Sequence, residues 1–455
     1  MTAPPSKTQS RGAFGSRIGF ILAAAGSAIG LGNIWRFPYT AGENGGGAFV
    51  LLYLVFVIGL GLPVLLAELS LGRATKSNPV GAFKRFFPKT LWPYVGGLGV
   101  LTGFGILAFY VVVAGWSLSY LGRALTGTFD GAITAEESGA LFTAIISNPT
   151  ETVAMAGVFL VLTAGVVRAG VGGGIELASK ILMPVFFVLL LVLAGRSLTL
   201  PGADEGIAVL FGTDFSKLTG QGVMSALGQA LFSLSLGMGA MITYGSYLPD
   251  KENLPFAGAA VAFCDTAIAL LGGLIIFPAL FSQGVAPDEG PGLVFVVLPT
   301  IFHSLPMGHL FAIAFYGLLS IAALTSTISL MEVVVAYFVD ERGWSRNKSV
   351  SVIVPATLML AVPSALSQGG LDFFTDFIGG KGFLDTQDVL FGNISLSVGA
   401  LLISIFVGWK WGAKEALEEM DNFSLGGVWS VLIRFAAPTA VGAVLVTFVV
   451  GLFGE

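Results

Sequence analysis

Cysteine and histidine are nearly absent from this 455-residue chain, which holds one cysteine, Cys264, and two histidines, His303 and His309. A single thiol excludes a disulfide framework or a thiolate cluster within the chain. Two histidines leave no basis for a haem or a multi-histidine metal centre. Charge is scarce as well: 11% of residues are charged and the net charge is −5. That gives nucleic acid nothing to hold, and no nucleic-acid partner is expected.

What is present is apolar. Hydrophobic residues make up 55% of the chain, and the mean hydropathy is +0.88. These values exclude an ordinary soluble domain and call for a lipid bilayer as solvent. The polar start, "MTAPPSKTQS", precedes no cleavage pattern, so the first apolar run is expected to be retained.

The pattern predicts an all-α integral membrane protein of about 11 transmembrane helices, near 15–38, 48–71, 95–121, 150–167, 176–196, 220–247, 256–283, 309–339, 348–366, 385–410 and 432–453. Gly290–Gly308, too short and too interrupted by proline to cross, reads as a loop helix or a re-entrant flap. With the N-terminus in the cytoplasm, every lysine and arginine except Arg36, Arg123, Arg196, Lys217 and Lys381 lies inside. Acids such as Asp204, Glu205, Asp372 and Asp376 lie outside. An odd number of spans then puts the C-terminus outside, in a multi-pass protein of the cell's inner (plasma) membrane.

Two spans are internally broken. The first carries Gly26-Ser-Ala-Ile-Gly-Leu-Gly-Asn33, and the sixth carries "SLSLGMG" from Ser233 to Gly239. Each glycine costs a helix about 1 kcal/mol relative to alanine, and freed backbone groups in hydrocarbon cost more unless paired. Close helix packing alone would also favour small residues. Yet the breaks lie five spans apart and hold polar residues, as expected of an inverted five-plus-five repeat with a binding site at the midplane. The chain then divides into a cytoplasmic segment 1–14, a first repeat 15–196, an outer loop 197–219, a second repeat 220–410 and a final loop and helix 411–455. Open helix ends at Leu31 and Gly32 offer amides to a carboxylate, and carbonyls of Gly26, Ala28 and Ile29 suit a hard cation.

"GSAIGLGNIWRFPYTAGENGGGAF", "GQALFSLSLGMGAMITYGSYL" and "AALTSTISLMEVVVAYFVDE" resemble the neurotransmitter:sodium symporter family in its bacterial amino-acid branch. The likeness covers nearly the whole chain. It implies helices 1 and 6 unwound at the midplane and a sodium-coupled importer of L-amino acids, not an enzyme. Matched motif by motif, a first Na+ site would use the Ala28 carbonyl with Asn33, Ser233 and Asp265, closed by the substrate carboxylate. A second would use the carbonyls of Gly26, Ile29 and Ala322 with Thr325 and Ser326. Ala322, Thr325 and Ser326 share one helix face by spacing, and oxygen ligands suit a hard cation. Such hydroxyls otherwise bond back to the preceding turn. Asp265 departs from many relatives, which carry asparagine there; its charge would balance sodium and make chloride unnecessary, so chloride is not expected.

The resemblance further implies that the substrate amine meets the carbonyls near Ala28, Phe232 and Ser233. Its carboxylate would meet Leu31, Gly32 and the Tyr110 hydroxyl. Gly30, where the biogenic-amine branch has aspartate, implies a substrate with its own carboxylate. Ile106, Phe232, Ser235, Met238, Ser329 and Leu330 would line the side-chain end, which suits hydrophobic amino acids. Arg36 and Asp388 match the family's outer gate, while Arg11 and Asp340 with Phe14 and Tyr247 match the inner one. In the fifth span, Gly174 and Pro184 mark a stretch whose cytoplasmic half is expected to unwind. A channel or a non-transporting amino-acid sensor on the same fold remains the alternative. "GLGN" and "GVGGG" lack the strand–loop–helix setting of a nucleotide site. Nothing in the sequence sets an oligomeric state.

Overall fold

The computed structural model describes residues 12–282, 284, 294–302 and 307–453. Among them the only strand-like pairing is an isolated bridge between Ile378 and Lys381; the rest is helix and connecting loop. Nine described helices are long and apolar enough to cross a membrane: Gly47–Thr75, Trp92–Leu125, Pro149–Arg168, Val171–Ser197, Leu254–Phe281, Gly308–Arg342, Arg346–Leu366, Phe383–Glu419 and Gly426–Phe448. A tenth is the pair Arg17–Ala28 and Gly32–Glu43, bent by 56° at the glycines. The sixth span comes as Gly220–Ser233 and Ala240–Gly245, too short singly to pass as spans. We number the spans 1 to 11 in chain order, with these two broken ones as spans 1 and 6.

Helix starts follow local chemistry. Thr219 caps Gly220–Ser233 by accepting from the Gly222 amide, Asn253 caps span 7 and Ser345 caps span 9. Proline occupies the first turn of spans 3, 4 and 7, where its missing N–H has no intrahelical acceptor to lose. Hydropathy placed most ends within a few residues, but span 11 begins at Gly426 instead of 432, and three other ends differ as clearly. Span 1 runs to Glu43, not to 38. Span 5 begins at Val171 because "VGGGIE" forms a wide helical turn instead of a loop. Span 10 continues to Glu419 through a second wide turn, Phe406–Gly412, past the end of its apolar run. Of the expected flap at 290–308, residues 290–293 and 303–306 lie outside the described residues. The described part holds the short helix Val297–Phe302.

Tight packing holds the broken spans in the centre. At Gly72 a side chain would run into the Ile242 carbonyl, so span 2 lies against the inner half of span 6. At Gly399 it would overlap the Gly237 carbonyl, so span 10 presses on the unwound stretch itself. Only glycine permits such approaches.

Candidate functional site

Span 1 stops at Ala28, and Ile29 turns out of the helix with ψ 114°. In span 6 the chain leaves the helix after Ser233. Ser235, Gly237 and Gly239 all take left-handed backbone angles, at φ 55°, 87° and 75°. Serine in that region is uncommon and is held only where its surroundings fix it. Here its hydroxyl donates to the Ser27 carbonyl at 2.9 Å, which ties one break to the other.

The freed groups converge on a central cavity of about 40 Å³. It is lined by Ala28, Gly32, Ile106, Tyr110, Phe232, Ser233, Ser235, Met238, Ser329 and Leu330, all expected around a substrate. The expected Leu31 faces an outer vestibule of about 420 Å³ instead. Gly32, Tyr110 and Phe232 line both spaces and form the partition between them. The Leu31 amide donates to the Tyr110 hydroxyl at 3.0 Å. A Cβ on Gly30 would stand 2.9 Å from both the Tyr110 and the Ser326 hydroxyl oxygens, so no side chain fits there without displacing them. Ser27 and Leu396 also line the cavity, and the sequence reading named neither.

Four elements meet at Asp265. This carboxylate is fully buried. The Ser233 hydroxyl lies 2.8 and 2.7 Å from its two oxygens, the Asn33 amide donates at 2.7 Å and the Tyr53 hydroxyl at 3.2 Å. Asn33 turns its other face to span 1, where its oxygen accepts from the Gly30 amide at 3.1 Å. Among the described residues no lysine or arginine pairs with Asp265. A buried charge surrounded only by neutral donors is costly without a counter-ion. Tyr53 escaped the sequence reading, although it is the only polar side chain between 48 and 66.

The second expected ion site lies between spans 1 and 8. The Ser326 hydroxyl donates to the Ile29 carbonyl at 3.1 Å, which brings those two oxygens together across the helices. A Cβ on Gly26 would lie 3.1 Å from the Thr325 Cβ, so the spans touch at that level. The Thr325 hydroxyl bonds back to the Ala322 carbonyl at 3.0 Å, while its Cβ and methyl are the atoms that face Gly26. These donors are carbonyls and hydroxyls, the set that fits sodium. Among the described residues no group of three His, Cys, Asp or Glu gathers to hold a transition metal.

At the outer gate the two expected residues stand apart, though close enough to feel each other's charge. Arg36 and Asp388 both face the vestibule, but no ion pair joins them; the Arg36 guanidinium sits 4.8 Å from the centre of the Phe232 ring. A cation over an aromatic face in a wet vestibule is a weak contact, worth about 0.5–1 kcal/mol. With the pair apart, the vestibule stays open to Tyr110 and Phe232.

The opposite end is closed. Of the expected inner gate, Arg11 lies outside the described residues. Phe14 is buried, its amide donates to the Tyr247 carbonyl at 3.2 Å, and its ring meets Phe20, Tyr244 and Tyr247 edge-on. Asp340 accepts from the Asn78 amide at 2.9 Å. Three acids that the sequence reading passed over complete this end. Glu332, fully buried in span 8, accepts from the Tyr247 hydroxyl at 2.6 Å and is ion-paired with Arg346. Glu68, fully buried in span 2, accepts from the Gly237 amide at 2.7 Å. Glu176 holds the start of span 1 through the Gly15 amide at 2.6 Å and the Ser16 hydroxyl at 2.8 Å. An acid inside a spanning segment is itself the signal that would have found the first two.

Comparisons with known proteins agree with this geometry. A model of the sodium:neurotransmitter symporter family matches residues 11–135 and 142–453. An uncharacterized sodium-dependent transporter of Bacillus subtilis (strain 168), YhdH, is 43% identical over 94% of this chain and 95% of its own length. The sodium-dependent dopamine transporter of Bos taurus is 26% identical over 95% of this chain and 68% of its own. The crystal structure of MhsT in complex with L-phenylalanine superposes with a TM-score of 0.90 at 46% identity. It covers 96% of this chain and 100% of that one.

Proposed function

Since the chain belongs to the sodium:neurotransmitter symporter family, we propose that it imports hydrophobic L-amino acids by sodium-coupled alternating access, without chloride. The observation that carries this reading is Asp265: a fully buried carboxylate at the meeting of both broken helices, with neutral donors around it and, among the described residues, no basic partner. A sodium ion beside it, reached by the Ala28 carbonyl, Asn33 and Ser233, balances that charge permanently. No separate anion is then needed.

The lining of the cavity supports the substrate class. A substrate carboxylate would replace the Tyr110 hydroxyl as acceptor of the Leu31 amide and meet the Gly32 amide beside it, where a side chain at position 30 would crowd the Tyr110 and Ser326 hydroxyls. The amine faces carbonyls at the two breaks. Ile106, Phe232, Met238 and Leu330 supply an apolar end, and methionine adapts to different shapes. The likeness to a structure holding L-phenylalanine supports a large apolar side chain.

Coupling follows from linkage. A substrate carboxylate that completes the first ion site raises sodium affinity, and sodium raises substrate affinity by the same factor. A second sodium between Gly26, Ile29, Ala322, Thr325 and Ser326 ties span 1 to span 8 and favours the state open to the outside. With the N-terminus cytoplasmic, each sodium moves down a potential worth about 2.3 kcal/mol per charge per 100 mV.

Uptake into proteoliposomes tests the reading, with a panel of labelled amino acids, with and without a sodium gradient, and with chloride replaced by gluconate. Sodium-dependent, chloride-indifferent uptake of leucine-, methionine- or aromatic-type substrates is expected. Uptake that fails without chloride overturns the role of Asp265, and binding without flux points to a sensor.

A further inference from the structure

The outer surface of the bundle carries a feature that transport does not use. Spans 3, 8 and 9 enclose an apolar groove of about 490 Å³, with Gly97, Leu101 and Phe104 on one wall and Phe338, Val352 and Ala356 on the other. It opens outward: Tyr94 at its mouth is 73% exposed and Leu101 half so. Gly97 forms its floor, and a Cβ built there meets nothing within 4 Å.

Depth identifies what the groove faces. Span 3 begins at Trp92, so at 1.5 Å per residue Phe104 lies roughly 18 Å along it. That is about the reach of one leaflet of a hydrocarbon core ~30 Å thick. The groove therefore begins near one membrane surface and ends near the midplane, the length of a lipid acyl chain.

The mouth is cationic. Phe338, in the groove wall, stacks on Trp344 with centroids 4.6 Å apart and planes at 17°. The Lys348 ammonium lies 4.5 Å over the same indole. Lys348 sits one turn before Val352 on span 9, and Arg342 one turn past Phe338 on span 8. Among the described residues neither has a carboxylate partner. Lys84 also lies at this end, paired with Glu341 at 2.8 Å. Apolar wall, aromatic step and unpaired cations thus follow one another, in the order of chain, ester region and headgroup in a phospholipid.

We propose that this groove is a binding site for one anionic phospholipid of the leaflet at the lysine- and arginine-rich end. Its acyl chain lies over Gly97 between spans 3 and 8, and its phosphate meets Lys348 and Arg342. Exposed basic residues at a membrane surface attract anionic lipid, and the chain-shaped recess turns that attraction into a single site. The inference stands apart from substrate and ion binding, so it fails or holds independently of the proposed function.

The test uses the full-length protein, purified in mild detergent after incubation with equal amounts of phosphatidylglycerol and phosphatidylethanolamine. Lipid retained per protein is counted by native mass spectrometry. The unaltered protein is expected to retain phosphatidylglycerol in preference. Gly97→Leu, which fills open space and favours the helix, is expected to bring retention to background while the protein stays monodisperse. Lys348→Gln, an exposed change, is expected to reduce the preference about fivefold, the effect of one lysine near anionic lipid. Equal retention of the two lipids, undiminished phosphatidylglycerol in Gly97→Leu, or a dimer that Gly97→Leu dissociates with no loss of lipid would each overturn the proposal. The last outcome would assign the groove to a second copy of the chain. Should Gly97→Leu misfold, the Lys348→Gln ratio decides by itself.

Discussion

The Ser233 hydroxyl stands between the two oxygens of Asp265, 2.8 Å from one and 2.7 Å from the other. One residue belongs to the break in span 6 and the other to an unbroken helix, span 7. The contact makes the position of the break depend on the charge of a neighbouring span.

Asp265→Asn tests that dependence. The change keeps the shape but removes the charge that we assign to balancing sodium. Sodium affinity in uptake is expected to fall at least about tenfold, a loss of roughly 1.4 kcal/mol, and added chloride is expected to restore part of it. A sodium titration of uptake with and without chloride measures both effects, and an unshifted titration would remove Asp265 from the ion site.

Thr325→Val with Ser326→Ala removes two hydroxyls and leaves the packing of span 8 against span 1 nearly unchanged. Sodium-stimulated uptake is expected to disappear while the protein remains folded by its melting temperature. Unchanged uptake would show that the bond from Ser326 to the Ile29 carbonyl, 3.1 Å long, is structural only.

Gly30→Ala places a methyl 2.9 Å from the hydroxyl oxygens of Tyr110 and Ser326. Neither oxygen can yield without losing its present partners. The apparent KM for the amino acid is expected to rise at least about tenfold, roughly 1.4 kcal/mol of lost binding. Glycine binding should suffer as much as leucine binding, because the methyl competes with the carboxylate and not with the side chain. Equilibrium binding of the two labelled amino acids makes the comparison.

Arg346→Gln leaves Glu332 buried beside Tyr247 without its cation. Breaking one side of a buried pair costs about 3–5 kcal/mol, so the melting temperature is expected to drop sharply. The double change Glu332→Gln with Arg346→Gln is expected to recover much of that loss. Thermal unfolding of the three proteins in one detergent settles whether the pair acts as a unit.

Much of this architecture was legible in sequence because lipid is a severe solvent. Runs of about 20 apolar residues have few alternatives to crossing, and glycines at 26, 30, 32, 237 and 239 are too many for an unbroken helix. The two breaks and the cavity between them lie where those glycines put them. Helix ends were less legible. The turns Val171–Glu176 and Phe406–Gly412 continue their spans through wide helical geometry, which hydropathy does not register.

Side-chain partners were harder still. Glu68 and Glu332 lie inside spans as surely as Asp265 does, yet apolar counting dilutes a single acid among some thirty residues. Glu332 even lies within the stretch that begins at Ala322, where the hydroxyls of Thr325 and Ser326 carry the stronger signal. The expected Arg36–Asp388 pair shows the opposite limit. Sequence names partners for a gate, but whether they touch depends on which side of the cycle the helices adopt, and here Arg36 rests on Phe232.

The contact between Gly237 and Gly399 has a consequence for how such a chain can change over time. Neither position tolerates a methyl while the other strand of backbone stays where it is. A lineage drifting toward larger residues must therefore reroute the loop and the neighbouring rod together, in one mutational step or through a crippled ancestor. The two constraints meet at one crossing of backbone, although 162 positions separate the glycines along the sequence.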